Sequence, residues 1–202
     1  MTDKSKGQKN SEWYSFSNVI AVAMAVFVIA MFFSPDLKAR VIQGLMYVGF
    51  FQPDIPADAS IKMKQSTGMD VAFKDVNGAV VQLSDLKGKV VFINFWATWC
   101  PPCIAEMPSI DRLHKKYKKG EDVVFLLVDV DRNFRSSVEF MKQQKLDLPL
   151  YIAETAIPVA YFSGSMPTTV ILDKAGNIVF QHIGAADYDN TKVESFIDQL
   201  RQ

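Results

Sequence analysis

Cysteine and histidine are scarce in this chain, which has two of each among 202 residues. Both cysteines lie in NFWATWCPPCIAEMP, residues 94–108. A structural zinc site needs about four nitrogen or sulfur ligands, and His114 and His182 stand at no recognised zinc spacing from the pair, so we expect no metal. A domain of this size does not need a disulfide scaffold to fold. Cys100 and Cys103 therefore require another explanation.

Net charge is absent as well, since 22 basic residues balance 22 acidic ones. The chain has no basic stripe of the kind that binds nucleic acid, and its lysine-rich run at 115–119 is typical of the solvated end of a helix. It also lacks a G-x-G-x-x-G fingerprint for a flavin or nicotinamide. The sequence thus predicts neither a nucleic-acid partner nor an organic cofactor.

Charge, glycine and proline are all missing from residues 19–33. Together with residues 13–18 this stretch reaches the roughly 20 residues that cross a bilayer. Three lysines precede it, and a tryptophan and a tyrosine begin it, as in an interfacial belt. We predict a cytoplasmic N-terminus (1–12) and a single anchor (13–33) in the cytoplasmic (inner) membrane, with the rest on the periplasmic or other extracytoplasmic side. A cleaved signal peptide is the alternative, although no clear small-x-small cleavage site follows.

Residues 34–68 are predicted to form a juxtamembrane helix and a linker. Ser34-Pro35-Asp36 supplies an N-cap, a proline at the first helical position and an acidic first turn. Apolar residues then recur at helical spacing up to residue 51: Leu37, Val41, Leu45 and Val48. The helix either lies at the membrane interface or packs on the domain, and the sequence does not separate these two possibilities.

Residues 69–202 alternate between apolar runs and amphipathic segments, which predicts one α/β domain with a mixed central sheet flanked by helices. The predicted elements are buried strands at 90–96 and 123–130, hairpins around Asn77-Gly78 and around residues 174–177, and helices at 101–118, 136–144 and 191–201. Val138, Phe140 and Met141 are predicted to face inward. Residues 147–165 show no regular pattern.

The cysteine pair lies where a predicted buried strand runs into a helix. At a helix N-terminus the macrodipole and the free N–H groups favour the thiolate of Cys100, which is the form that attacks a disulfide. Cys103 lies one turn deeper and can close back on it. Haem attachment would need a histidine where Ile104 stands, and a disulfide across so short a loop would contribute little stability. The context favours a redox centre.

Two neighbouring features tune this centre. Pro101 and Pro102 remove N–H donors and no cation stands beside Cys100, so we expect a moderately lowered pKa and a potential in the reducing half of the roughly −270 to −120 mV range. Glu106 follows Cys103 on the same helical face. It can take the proton of that thiol if burial raises its own pKa, and an exposed helical glutamate is the alternative.

Three segments taken together, VVFINFWATWCPPC, the following IAEMP and SMPTTVILDKAGNIVFQHIG, resemble the thioredoxin superfamily over about residues 69–202. The most similar branch is the membrane-anchored TlpA/ResA-like thiol–disulfide oxidoreductases. The resemblance implies a thioredoxin-like fold in which Cys100 is the nucleophile and Cys103 the resolving cysteine. It also implies that Trp99 flanks the nucleophile.

The same resemblance implies that Pro167 is a cis-proline facing the pair, although statistics alone favour trans. Met166 would present its backbone to an extended substrate segment. Ordinary thioredoxins carry a buried aspartate at the position of Asn94, whereas this branch places the acidic role at Glu106. The expected partners are a protein disulfide substrate and a transmembrane thiol donor, and cytochrome c maturation is one candidate pathway.

Two other functions compete with this interpretation. A peroxiredoxin would carry Pro-x-x-x-Thr/Ser-x-x-Cys, yet Ile93 and Ala97 stand at the proline and hydroxyl positions. A non-catalytic, membrane-tethered thiol-binding or assembly module would use the fold only as a docking surface, and it gives no reason for an intact cysteine pair. The sequence therefore favours a disulfide reductase.

Overall fold

The computed structural model describes residues 10–55 and 70–202. The predictions for residues 1–9 and for the linker at 56–69 lie outside the described residues. The helices are α1 (Asn10–Phe33), α2 (Pro35–Tyr47), α3 (Pro101–Tyr117), α4 (Phe134–Gln144) and α5 (Thr191–Leu200). The strands are β1 (Ala72–Asp75), β2 (Val80–Gln82), β3 (Val90–Trp96), β4 (Val123–Asp129), β5 (Leu150–Ala153), β6 (Thr168–Leu172) and β7 (Ile178–Ile183).

The seven strands form one mixed sheet in the order β2-β1-β5-β4-β3-β6-β7. The three inner strands β3, β4 and β5 run parallel, and the pairs on either side of them are antiparallel. Every residue of β3 is buried, as its continuous apolar sequence predicts for a central strand covered on both faces. The predicted α/β class and mixed sheet are confirmed.

The side chains of β3 alternate between two hydrophobic clusters, as the pleat of a strand requires. Phe92 and Trp96 pack in a cluster that includes Met107 of α3, Met141 of α4 and Phe196 of α5. The next residues along the strand face a second cluster on the other side, with the segment around Ala160 and Tyr161. All three helices of the domain thus contribute to the cluster that contains both cysteines.

Helix α1 contains an apolar window, residues 16–33, that is long enough by length and composition to cross a membrane. None of this window is buried against the rest of the described chain. Ser34 then leaves the helical conformation and its hydroxyl accepts the N–H of Leu37 at 3.3 Å. This N-cap starts α2 as a separate helix with Pro35 at its first position, as predicted.

Helix α2 packs on α3. Packing on the domain is one of the two possibilities that the sequence left open for this helix. Its buried residues are Ala39 and Met46, which contact Ile104 and Ala105. The Gln43 side-chain amide also donates to the backbone carbonyl of Ile104 at 3.5 Å. The face of α2 that packs on α3 is therefore not the face with the leucines and valines whose spacing predicted the helix.

The end of α2 also differs from the prediction. The helix stops at Tyr47 rather than near residue 51 because Gly49 adopts φ +91°, a conformation that favours glycine. The N–H of Gly49 donates to Met46 and the N–H of Phe50 donates to Leu45. These two bonds make a Schellman cap, which satisfies carbonyl groups that the helix end would leave unpaired.

One prediction for the segment after β4 is wrong in detail. Val138 is exposed, and the neighbouring Ser137 faces inward instead because its hydroxyl donates to the buried carboxylate of Asp129 at 2.7 Å. The less regular segment at 147–165 contains one short strand, β5 (Leu150–Ala153), which was not predicted. A four-residue strand is too short to show a clear alternation of apolar and polar residues.

We expect Asp129→Ala to lower the free energy of unfolding by about 1–3 kcal/mol, because it removes a buried acceptor shared by three donors, among them the buried Ser137 hydroxyl. The carboxylate accepts the N–H of Asp131 and of Asn133, each at 2.9 Å, and the hydroxyl of Ser137. Chemical denaturation of the full chain in detergent measures the change. Ser137→Ala removes one of the three donors and serves as the milder control. An unchanged midpoint for Asp129→Ala would contradict the assignment.

Candidate active site

Cys100 is the N-cap of α3 and is joined to Cys103 in a disulfide, with the two Cα atoms 5.2 Å apart. The N–H of Cys103 donates to the sulfur of Cys100 at 3.3 Å. Pro101 and Pro102 occupy the first two helical positions and have no N–H, so the third position supplies the bond that a helix N-terminus offers to a thiolate. Cys100 retains 4% of its surface and Cys103 none, so Cys100 is the sulfur nearer to a substrate.

Glu106 is completely buried one turn beyond Cys103, which excludes the exposed alternative. Its Oε1 accepts the side-chain amide of Asn94 at 2.7 Å, and its Oε2 accepts the backbone N–H of Ala186 at 3.2 Å. Burial raises the pKa of Glu106 to about 8, although both hydrogen bonds favour the carboxylate and lower it. The group therefore titrates near neutral pH.

A small buried polar cluster surrounds this carboxyl group. Asn94 in β3 lies opposite Thr169 in β6, and its amide also donates to the Thr169 hydroxyl at 2.9 Å. Tyr188 is fully buried, and burial together with the Glu106 charge raises the pKa of its phenol well above the ordinary value. Sequence reasoning gave no role to these residues, yet Asn94 is the only polar residue in VVFINFW, and a buried amide in such a run needs a partner.

Pro167, which the resemblance places facing the cysteine pair, lies at the same end of the sheet as the cysteines. Strand β6 begins at Thr168 opposite Phe95, near the end of β3 where the chain turns toward Cys100. The peptide bond between Met166 and Pro167 is cis, as that resemblance implied. The side chain of Met166 is half-buried against the cluster that contains both cysteines.

Trp99, the residue before Cys100, is exposed. Its ring N–H donates to the Asp131 carboxylate at 2.6 Å, across from the loop that follows β4. This hydrogen bond holds the exposed ring of Trp99 in one orientation. The sequence gave no signal for Asp131, because nothing along the chain shows that residues 32 positions apart meet.

The arrangement supports exchange between thiols and a disulfide. One cysteine lies at a helix N-terminus near the surface, its partner is buried behind it, and a carboxyl group with a pKa close to that of a thiol lies one turn deeper. Within residues 10–55 and 70–202 no group of three or more histidine, cysteine or acidic side chains could hold a metal. Fold and site together define a thiol–disulfide oxidoreductase.

Comparison with known proteins gives the family. The Redoxin family model matches residues 57–198, so the chain belongs to the Redoxin family. It is 35% identical over 157 residues to the thiol-disulfide oxidoreductase ResA of Bacillus cereus, covering 77% of this chain and 86% of that protein. The ResA protein of Bacillus anthracis is 38% identical over the same shares of the two chains. These relatives confirm the resemblance to the ResA-like branch of the thioredoxin superfamily and the oxidoreductase activity.

Solved structures agree with the fold. A Chlorobium tepidum protein described as the thiol:disulfide interchange protein DsbE superposes with a TM-score of 0.58 at 28% identity, covering 69% of this chain and 98% of that one. A Bacteroides vulgatus protein described as a thiol-disulfide oxidoreductase gives a TM-score of 0.57 at 33% identity, covering 70% and 99%. The thioredoxin-like fold is thereby confirmed.

We expect the stability of the oxidised chain to fall with rising pH through the titration of Glu106. The pKa is about 8 in the folded chain and 4.5 for an unperturbed glutamate, so between these values the folded state holds a proton that the unfolded state has released. This contribution is fully present below the unfolded pKa and is lost as the pH rises through the folded one. Relative to Glu106→Gln, the wild-type free energy of unfolding should fall by a few kcal/mol across that window.

Denaturation in detergent at a series of pH values measures that difference. Asn94→Ala removes a donor that favours the carboxylate, so it should raise the pKa of Glu106 further. The fall in the free energy of unfolding should then extend to higher pH. Thr169→Val, which alters the other partner of Asn94, is the matched control for lost packing. A wild-type minus Glu106→Gln difference that stays constant with pH would rule out the raised pKa.

Proposed function

We propose that this oxidoreductase is a membrane-anchored reductase that acts on protein disulfides outside the cytoplasm. The observation that carries the proposal is the order of groups along α3: the accessible Cys100, the buried Cys103 and then the buried Glu106, whose pKa is about 8. This order is the one that the steps of disulfide reduction require, which supports the proposal. In the reduced enzyme the two cysteines are thiols.

The proposed reaction has two displacements. The Cys100 thiolate attacks one sulfur of the substrate disulfide, which forms a mixed disulfide and releases the other substrate sulfur as a thiolate that takes up a proton. The Cys103 thiolate then attacks the Cys100 sulfur and releases the second substrate thiol. The substrate gains two electrons and two protons, and the enzyme ends as the Cys100–Cys103 disulfide.

Glu106 is proposed as the base for the second displacement. A buried thiol such as Cys103 must lose its proton before it attacks, and its free pKa of about 8.5 lies close to the value of about 8 for Glu106. Proton transfer between groups of matched pKa costs little free energy. Asn94 and Ala186 donate to the two carboxylate oxygens, so they fix the position of a group that lies one turn beyond Cys103 on α3.

Substrate binding is assigned to the edge of the sheet beside the nucleophile. Trp99 presents an exposed ring held by Asp131, and Met166 precedes the cis-proline Pro167. An extended substrate segment can pair its backbone with Met166, which lies in the loop before β6 rather than within the paired strand. The sequence resemblance supports the same three residues.

Membrane attachment is supported by α1. Its apolar window, residues 16–33, has the length and composition of a membrane span, and none of it is buried by the other residues that the structure describes. The preceding lysines favour a cytoplasmic N-terminus, which places the catalytic domain where disulfides persist. A transmembrane thiol carrier is the proposed electron donor and cytochrome c maturation the proposed pathway, both from the sequence resemblance.

We expect Cys103→Ala to accumulate a mixed disulfide through Cys100, because the resolving thiol is gone. Incubation of the reduced variant with insulin, followed by non-reducing electrophoresis and mass spectrometry, detects the adduct. Cys100→Ser is the control and should trap nothing. Recovery of only peroxide-oxidised forms of Cys100, with no protein adduct, would overturn the reductase assignment in favour of a peroxidase.

Glu106→Gln should slow resolution of the mixed disulfide on the order of 10²-fold near neutral pH. The defect should shrink above the pKa of the Cys103 thiol, where that thiol ionises without a base. Stopped-flow measurement of substrate thiol release over pH gives the test. A defect that stays equal at all pH values would show that Glu106 acts only on structure.

The potential of the cysteine couple should lie nearer to about −270 mV than to about −120 mV. Two prolines remove donors from the first turn, which leaves the Cys103 N–H on the Cys100 sulfur, so the thiolate is only moderately stabilised. Equilibration with glutathione buffers measures the potential. A value at the oxidising end would contradict the proposed direction of electron flow.

A further inference from the structure

Helix α2 carries apolar side chains on two opposite faces. One face, with Ala39, Ile42 and Met46, is packed on α3. At 100° per residue, the residues that repeat at helical spacing point to the other side of the helix. We call this second set the outer stripe, and its members are Leu37, Val41, Leu45 and Val48.

The outer stripe is open to solvent in the described chain. Leu45 keeps 41% and Val48 66% of its surface, while Leu37 and Val41 are partly exposed. A run of large exposed apolar side chains along a helix is unusual for a surface that meets only water.

The chain itself indicates what covers this stripe. Only Ser34 separates α2 from α1, whose apolar window is the proposed membrane span. Because α2 rises about 1.5 Å per residue, even its far end stays within about 20 Å of the end of that span. The outer stripe is thus continuous along the chain with a surface proposed to lie in lipid.

Charge agrees with a lipid surface. Helical geometry places Lys38 on one flank of the outer stripe and Arg40 on the other. Asp36, the only acidic residue of α2, lies away from the stripe. A helix with an apolar face flanked by long cationic side chains is the kind that lies in the interface of an anionic bilayer.

We propose that the outer stripe lies in the interfacial layer of the phospholipid bilayer, so that α2 is held between the membrane and the active-site helix. This inference rests on the anchoring stated in the proposed function. Its consequence is that the catalytic domain keeps a fixed orientation at the membrane surface. Its substrates and its donor are then proteins whose disulfides or thiols reach that surface.

Spin-label depth measurements on the full chain test the proposal. In a Cys100→Ser/Cys103→Ser background, one nitroxide is attached in turn at Leu45→Cys, Val48→Cys and Val80→Cys, with Ile29→Cys as the reference inside α1. The chain is placed in nanodiscs of phosphatidylcholine with phosphatidylglycerol. Val80, an exposed apolar residue of β2, is the matched control outside the proposed interface.

The proposal expects labels at Leu45 and Val48 to collide with oxygen, relative to a water-soluble nickel chelate, several-fold more often than the label at Val80. Adding Val48→Asp to the Leu45-labelled chain should bring that ratio down toward the Val80 value. If the stripe labels match Val80, the stripe faces water and the proposal fails. If they are protected from both reagents, protein covers the stripe, and the proposal fails in favour of a second copy.

The reference label separates this outcome from failure of the anchor. If the collision ratio places the label at Ile29 in lipid and the stripe labels in water, only the present inference is refuted. If the collision ratio places the label at Ile29 in water, the membrane anchoring on which the inference rests is refuted. Neither result bears on disulfide reduction, which the trapping experiment with insulin measures separately.

Discussion

The buried carboxyl group of Glu106 sets the main constraint on this domain. A glutamate without solvent must keep hydrogen-bond partners for both oxygens, and here they come from two distant parts of the chain, Asn94 in β3 and the Ala186 N–H before α5. The central strand, the active-site helix and the final loop are thereby held in one arrangement around one side chain. The same burial that requires these partners also brings the pKa of Glu106 close to that of a thiol.

The fold was largely predictable because its strongest signals are local. Strand β3 has the bounds that its apolar run predicts, and α3 begins at the proline pair after an N-cap. The errors fall where packing decides between equivalent local patterns. Val138 was placed inward on hydrophobicity, yet the inward position belongs to Ser137 because Asp129 needs its hydroxyl. On α2 the smaller Ala39 and the Met46 side chain form the contact rather than the regular leucine and valine stripe.

The site shows the same division between local and distant information. The positions of Cys100, Cys103 and Glu106 along one helix were predictable, since their spacing in the sequence sets their relative positions. Asn94 was noticed only as a departure from thioredoxins, and its bond to Glu106 needs the pairing of a strand with a helix. Asp131 and Ala186 gave no sequence signal, since an ordinary loop aspartate and a backbone N–H look alike at any position until the fold places them.

The segment from α2 to Phe51 is hydrogen-bonded to the candidate active site. After α2 ends, the carbonyl of Phe51 accepts the N–H of Asp187 at 3.0 Å, one residue beyond the Ala186 N–H that holds Glu106. Gln43 meanwhile contacts the carbonyl of Ile104, the residue next to Cys103. The segment that follows the proposed span thus contacts both the helix that carries the cysteines and the loop that holds Glu106. Because Ala186 and Asp187 are adjacent, one peptide unit joins the bond that this segment makes to the bond that fixes the Glu106 carboxylate.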